Sequence, residues 1–260
     1  MRLVSIAQNV PGPVAVSRLV AEGWRAIKIE PPSGDPLESL CRPWYEELHR
    51  GVDVERIDLK SNDGIARLRT LLAGTDVFFA SQRPSALGRL GLDATTLRSQ
   101  FPSLRHVNIV GDTANVDEPG HDLTYQARAG LLGDALPLTL IGDMVGAERA
   151  HAAIKDVIHQ PGGSRVIGLY DTLRDVAAPL RHGLTARGGQ LGGGNPAYAI
   201  YAASDGSIAV AALEPHFRAR LYEALGLEDG ADPTATFATR TAVQWEQWAK
   251  DRDIPLVALR

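Results

Sequence analysis

Short apolar segments alternate with amphipathic segments through the first hundred residues, and this alternation constrains the fold more than any other feature. Residues 14–22 and 64–72 have the spacing of amphipathic helices. The predicted strands are residues 2–7, 25–30, 54–59, 76–80 and 104–110. Strands separated by helices pair in parallel through right-handed crossovers. The pattern therefore predicts an α/β fold built on a Rossmann-like parallel sheet.

The character of the sequence changes after residue 120, and a second domain is expected. Residues 121–132, 143–159 and 169–186 are predicted helices, and a glycine-rich stretch at 188–194 suits a linker or an active-site loop. The remaining predictions are a hairpin of 198–203 with 207–212, helices at 214–225 and 241–250, and a terminal strand or tail at 253–259. We therefore expect a large Rossmann-like domain over residues 1–186 and a smaller α+β domain over 187–260.

Composition narrows the possible partners and the compartment. The net charge of -4 argues against a nucleic-acid binder, which normally presents a basic patch. The one cysteine, Cys41, excludes an intramolecular disulfide and fits a reducing compartment. No apolar run approaches the roughly 20 residues that cross a bilayer, so we expect a cytoplasmic protein without membrane association. The seven histidines show no metal-ligand spacing, and phosphate-loop and dinucleotide-binding motifs are missing, so no metal is expected.

Two short sequence motifs place an imidazole and a carboxylate at the starts of consecutive predicted helices. These are G-H-D at residues 120–122 and I-G-D at residues 141–143. If His121 and Asp143 faced one carbon from opposite sides, one group could remove a proton and the other could return one. From residue types alone, helix capping and first-turn charge remain the commoner explanations for Asp122 and Asp143.

The link between the first strand and the first helix is a candidate anion site. Gln8 and Asn9 occupy this link, where backbone amides and a helix N-terminus favour a negative group. Ligands of open α/β sheets usually bind at the carboxyl ends of the strands. The same rule therefore predicts that a ligand lies near these two residues.

Several separated sequence motifs resemble those of the class III CoA-transferase superfamily and occur in the same order as in that superfamily. They are K-I-E-P-P-S-G-D-P at 28–36, I-D-L-K-S at 57–61, R-P through R-L-G at 83–91, and three phrases at 190–201, 212–217 and 237–246. The superfamily includes carnitine CoA-transferases and α-methylacyl-CoA racemases. The resemblance implies acyl-CoA substrates, coenzyme A as the carried group, no metal, and an interlocked homodimer.

The same resemblance implies roles for individual residues. His121 and Asp143 take the positions of the catalytic pair, with Asp122 beside them and Glu214 as a supporting acid. The residues implied to contact coenzyme A are Gln8, Asn9, Leu59, Lys60, Arg83 and Arg89. Pro31 and Pro32 stand where several family members carry an arginine, so one phosphate contact of the family is not expected here.

Three functions stay open at this point. The phrases G-H-D at 120–122 and L-G-G-G-N-P-A-Y at 191–198 are closer to the racemase branch, which implies 1,1-proton transfer at the α-carbon of a 2-methylacyl-CoA. Histidine suits this chemistry because its ordinary pKa of about 6.5 lies nearest to physiological pH. The alternative is a CoA-transferase in which Asp143 attacks the thioester and an aspartyl-CoA intermediate forms.

The third possibility is an acyl-CoA-binding protein with impaired chemistry. The chain stops at Arg260, earlier than family members usually do, and the stretch between His121 and Asp143 is shorter than usual. A misplacement of about 1 Å in a reacting group can cost on the order of a hundredfold in rate. The apolar tail at 254–259 is expected to pack against the large domain or a second subunit of a homodimer.

Overall fold

A six-stranded parallel sheet forms the centre of the first of two structural units. The computed structural model describes all 260 residues and divides them into Met1–Ala177 and Ala178–Arg260. The strands of the first unit are β1 (Arg2–Ser5), β2 (Arg25–Glu30), β3 (Val52–Arg56), β4 (Val77–Ala80), β5 (Arg105–Val110) and β6 (Ser164–Gly168). Their order is β3-β2-β1-β4-β5-β6, with every neighbouring pair parallel. This doubly wound order confirms the predicted Rossmann-like class.

Helices cover both faces of this sheet. They are α1 (Pro11–Ala21), α2 (Pro36–Leu40), α3 (Arg42–Leu48), α4 (Asn62–Leu72), α5 (Pro84–Arg89), α6 (Ala94–Gln100), α7 (Asp122–Arg128), α8 (Ile141–Val157) and α9 (Leu169–Val176). Phe78 and Phe79 of β4 point to opposite faces, as successive strand residues do. Phe79 packs in a core with α1 and α8, while Phe78 packs in a core with α4, α5 and α6.

Two parts of the first unit differ from the sequence expectations. Helix α1 begins at Pro11, before the predicted start at residue 14, because proline is tolerated in the first turn of a helix where no amide donor is needed. Strand β6 was not predicted. It is a sheet-edge strand with few apolar residues, and its conformation depends on pairing with β5.

The second unit contains a three-stranded antiparallel sheet. Its strands are β7 (Tyr198–Ala202), β8 (Ser207–Ala211) and β9 (Leu256–Ala258), in the order β7-β8-β9. Its helices are α10 (Ala178–Arg181), α11 (Pro215–Leu225), α12 (Thr234–Phe237) and α13 (Ala242–Lys250). These elements agree with the predicted hairpin, helices and terminal strand. None of the helices in either unit combines the length and the apolar character needed to cross a bilayer.

The two units divide within the segment that the sequence predicted as one helix. The units divide after Ala177, before the boundary expected at residue 186, because the segment predicted as one helix forms α9 and the separate short helix α10. Pro179 lacks the amide that a continuous helix would use there. The tail at 254–259 contributes to the core of its own unit. Ile254 and Leu256 are buried in the core of the second unit, and Leu256 pairs with Val210 of β8.

Candidate functional site

A cavity of about 280 Å³ lies at the carboxyl ends of β1, β4 and β5. Gln8 and Asn9 line it from the loop after β1, and Ser81 and Arg83 line it from the loop after β4. The strand order reverses between β1 and β4, which is where open α/β sheets usually bind their ligands. The candidate ligand site therefore lies at the loop of Gln8 and Asn9, near which the sequence predicted a ligand.

Hydrogen bonds join the two loops on either side of this reversal. The amide of Gln8 donates to Oγ of Ser81 at 3.0 Å. The side-chain amide of Gln82 donates to the carbonyl oxygen of Ile6 at 2.7 Å. Each of these bonds joins two segments that are more than seventy residues apart in the sequence. This wall of the cavity therefore depends on the folded sheet and not on local structure alone.

Asp143 contributes to the cavity a carboxyl group with an unusually high pKa. It lies in the first turn of α8, is half-buried, and donates its backbone amide to Oδ1 of Asp122 at 3.0 Å. Burial raises the pKa of Asp143 to about 7, and the negative charge of Asp122 adds to the increase. A carboxyl group with this pKa can both donate and accept a proton near neutral pH.

Asp122 lies behind Asp143 and does not line the cavity. Only 3% of its surface is exposed, and its second oxygen accepts a hydrogen bond from the side-chain amide of Gln126. Gly142 permits this arrangement, because a Cβ there would lie 2.7 Å from Oδ1 of Asp122 and 2.8 Å from Cδ1 of Leu173. The glycine of the I-G-D phrase thus allows α8 to approach the buried carboxylate.

His121 lines the same cavity as Asp143. It is the residue immediately before α7, and its backbone amide donates to Oγ1 of Thr124 at 3.1 Å. The imidazole itself is exposed. The structure thus brings together the two side chains that the sequence singled out as a proton-transfer pair.

Tyr125 is a cavity residue to which the sequence analysis assigned no role. A Cβ at Gly120 would lie 2.5 Å from the ring and hydroxyl of Tyr125, so the ring fits closely against this glycine. Its hydroxyl makes no hydrogen bond within the chain, and burial raises the pKa of the phenol above its usual value. The phenol therefore stays protonated and can donate. The available signal was spacing, because Tyr125 lies four residues after His121, about one turn into the helix predicted at 121–132.

The remaining predicted site residues lie in four different places. Arg83 lines the main cavity. Leu59 and Lys60 line a smaller neighbouring cavity of about 150 Å³, which shares Gln8 with the first. Arg89 ends α5 and lines neither cavity. Glu214 is exposed, immediately precedes α11, and belongs to the second unit.

Comparison with known proteins gives a consistent family assignment. A family model described as CoA-transferase family III matches residues 1–151. The chain is 32% identical over 148 residues to the cinnamoyl-CoA:phenyllactate CoA-transferase of Clostridium sporogenes, a match that covers 51% of this chain and 36% of that enzyme. It is 27% identical over 288 residues to the alpha-methylacyl-CoA racemase of Mus musculus, covering 95% of this chain and 73% of the racemase.

A solved structure of similar fold comes from Mycobacterium tuberculosis. The hypothetical protein Rv3272 superposes with a TM-score of 0.86 at 20% identity, covering 100% of this chain and 84% of that one. In sequence, Rv3272, named a probable fatty acyl-CoA transferase, is 26% identical over 201 residues, or 69% of this chain and 51% of its own length. The matched region thus spans 36% of the Clostridium sporogenes enzyme and 51% of Rv3272.

Proposed function

Because the chain belongs to CoA-transferase family III, as its match over residues 1–151 shows, we propose that it acts on acyl-CoA thioesters and exchanges the proton at their α-carbon. The observation that carries this proposal is the pair of His121 and Asp143 in one cavity, with the pKa of Asp143 raised to about 7. The 27% identity to a racemase over 95% of this chain supports the same reaction type. We propose a 2-methylacyl-CoA as the substrate.

The two side chains act as base and acid on opposite faces of the α-carbon. The neutral imidazole of His121 takes the α-proton, and the electron pair of the broken C–H bond moves onto the thioester oxygen to form an enolate. The protonated carboxyl of Asp143 then gives its proton to the other face, and the C=O bond re-forms. The configuration is inverted, leaving an imidazolium and a carboxylate. The reverse reaction uses this charged pair, with the carboxylate as base.

The enolate oxygen needs a hydrogen-bond donor, since a proton next to a thioester is only weakly acidic. The amide of Asp143 already donates to Asp122. Tyr125 has a hydroxyl in the cavity that makes no other hydrogen bond, and its raised pKa keeps it protonated. We therefore assign to Tyr125 the role of donor to the thioester oxygen.

The coenzyme A moiety would lie along the carboxyl ends of the strands. The guanidinium of Arg83 provides positive charge in the main cavity, which suits phosphate oxygens. The smaller cavity with Leu59 and Lys60 continues past Gln8 and would hold another part of the nucleotide. Arg89 is proposed as a further phosphate contact and Glu214 as a supporting acid, and both assignments rest on the family resemblance.

A second candidate function is transfer of coenzyme A between carboxylic acids. The 32% identity to a CoA-transferase favours it, although that match covers only 51% of this chain. Asp143 in its ionised form would attack the thioester carbonyl, expel the CoA thiolate and form a mixed anhydride. The thiolate would then attack the aspartyl carbonyl, releasing the first acid and leaving an aspartyl-CoA thioester. A third candidate is an acyl-CoA binder without turnover.

The assembly and the location of the protein belong to the same proposal. We propose a homodimer in the cytoplasm, on the basis of the family resemblance. The tail at 254–259 offers no support for the dimer, because it pairs within its own unit. Light scattering of the purified chain tests the dimer directly, and a monomer mass at micromolar concentration would remove it from the account.

Incubation with a 2-methylacyl-CoA in D2O separates the three functions. Deuterium at the α-carbon, without movement of CoA to an added carboxylic acid, supports proton transfer. Movement of CoA to the acid without deuterium supports the transferase. If neither reaction occurs but the thioester binds measurably, the acyl-CoA binder without turnover is supported.

A further inference from the structure

A buried ion cluster lies immediately behind the loop that carries Gln8 and Asn9. Lys28 is fully buried on β2, and its ammonium group has three acceptors. They are Oδ2 of Asp35 at 2.5 Å, Oε1 of Glu30 at 3.1 Å and Nε2 of His49 at 2.9 Å. Every proton of the ammonium is thus used within the protein, which is what a buried charge requires.

His49 takes part in this cluster as a neutral group. Since Lys28 donates to Nε2, the ring proton resides on Nδ1, which donates to the carbonyl oxygen of Tyr45 at 2.6 Å. Burial and the charge of Lys28 both lower the pKa of His49. The positive charge of the cluster therefore belongs to Lys28, and its nearest carboxylate is Asp35.

The second oxygen of Asp35 reaches the wall of the cavity. Oδ1 accepts the amide of Asn9 at 3.1 Å and the amide of Leu37 at 2.9 Å. Asn9 has a φ of 63°, a left-handed conformation that residues other than glycine seldom adopt and that its surroundings must maintain. Asp35 is 3% exposed, so its hydrogen bonds are protected from competition with water.

We infer that Asp35, held by Lys28, is a positioning residue that fixes the left-handed turn at Asn9 and thereby shapes the Gln8–Pro11 wall of the acyl-CoA cavity. This inference rests on the proposed function for the identity of the ligand. Asp35 does not line that cavity and acts only through the backbone of Asn9. Its effect is therefore on ligand affinity and on the order of the loop, and not on the proton-transfer step.

Asp35→Ala and Asp35→Asn separate the positioning role from a general loss of stability. Alanine removes the acceptor for the Asn9 amide, whereas asparagine keeps an oxygen there and leaves Lys28 paired with Glu30. Asp93→Ala is the matched control. Asp93 likewise caps a short helix by accepting the amides of Thr95 and Thr96, and it lines neither cavity.

Calorimetric titration of the full chain with acetyl-CoA gives the first readout. We expect Asp35→Ala to raise Kd about tenfold or more, the factor that a hydrogen bond to a charged group represents. Asp35→Asn should restore Kd to within about threefold of wild type. Asp93→Ala removes only a helix cap and should leave Kd unchanged while lowering Tm. Equal Kd values for Asp35→Ala and Asp93→Ala would overturn the inference.

Amide hydrogen exchange at residues 8–10, without ligand, gives a second readout that does not depend on the proposed function. Exchange there should accelerate in Asp35→Ala and stay slow in Asp35→Asn and Asp93→Ala. If wild type does not bind acetyl-CoA, the proposed function fails and exchange alone decides the inference. If Asp35→Ala does not fold, Lys28→Met/Glu30→Gln/Asp35→Leu and Lys28→Met/Glu30→Gln/Asp35→Asn make the same comparison, since joint replacement of a buried ion group by neutral side chains is often tolerated. Equal exchange in the two triple variants would overturn it.

Discussion

The backbone amide of Asp143 donates to the buried carboxylate of Asp122 at 3.0 Å, which places two acidic residues from consecutive helices next to each other. Both oxygens of the buried Asp122 accept hydrogen bonds, one from this amide and one from the side-chain amide of Gln126. Asp143 is half-buried beside it and has a pKa of about 7. The helix junction thus provides a carboxylic acid that exchanges protons near neutral pH.

Asp143→Asn should stabilise the protein at alkaline pH. A carboxyl whose pKa is higher in the folded state lowers the free energy of unfolding progressively as pH rises from about 4, and the loss is complete above about 7. At 1.36 kcal/mol per pKa unit the maximum loss is on the order of 4 kcal/mol. Thermal melts should show equal Tm values near pH 4 and a higher Tm for the variant at pH 8. A difference independent of pH would contradict the raised pKa.

Asp122→Asn should lower the pKa of Asp143. The substitution removes a neighbouring negative charge and keeps an oxygen that can accept the Asp143 amide. Titration of the Asp143 carboxyl carbon by NMR measures the change directly. The pKa should move down but stay above the ordinary aspartate range, because burial is the larger cause. No movement would show that the two carboxyl groups do not interact.

Gly142→Ala should destabilise the protein and disturb the site together. The new methyl group would lie 2.7 Å from Oδ1 of Asp122 and 2.8 Å from Leu173, and such overpacking costs about 1–3 kcal/mol. Gly88→Ala is the control, because a Cβ there has no neighbour within 4 Å and alanine favours a helix interior by up to about 1 kcal/mol. Urea unfolding of both variants tests the contrast. Equal stabilities would mean that α8 does not approach Asp122 so closely.

Tyr125→Phe should slow α-proton exchange and leave binding of the thioester nearly intact. The change removes the hydroxyl donor and keeps the ring that packs against Gly120. Loss of one donor to a developing oxyanion lowers kcat by about 10²–10³. Steady-state kinetics would show a fall in kcat with little change in KM. A rise in KM alone would place the hydroxyl in ground-state binding.

The sequence predicted the elements that local patterns determine. Strand β2 was placed at its observed bounds, because R-A-I-K-I-E alternates and two prolines follow it. Strand β6 was missed because its conformation depends on a neighbour far away in the sequence. The sequence placed the boundary between the units after residue 186, because apolar spacing alone did not reveal the break between α9 and α10.

The candidate site likewise contains residues whose position the sequence predicted and residues whose position it did not predict. Gln8, Asn9, His121 and Asp143 were expected near one ligand from the strand-end rule and the family resemblance, and they share one cavity. Their catalytic and binding roles stay predictions. The position of Asp122 behind Asp143 was not foreseeable, because it depends on how closely α8 approaches α7.

The most direct test of the account is α-proton exchange in D2O, started separately from each enantiomer of a 2-methylacyl-CoA, in His121→Ala and Asp143→Asn. Each base faces one side of the α-carbon, so each variant should lose exchange with one enantiomer and retain it with the other, and neither should interconvert the two. The retained exchange should differ between the variants. If one variant loses exchange with both enantiomers and the other loses none, a single base does the chemistry and the proposed two-sided mechanism is wrong.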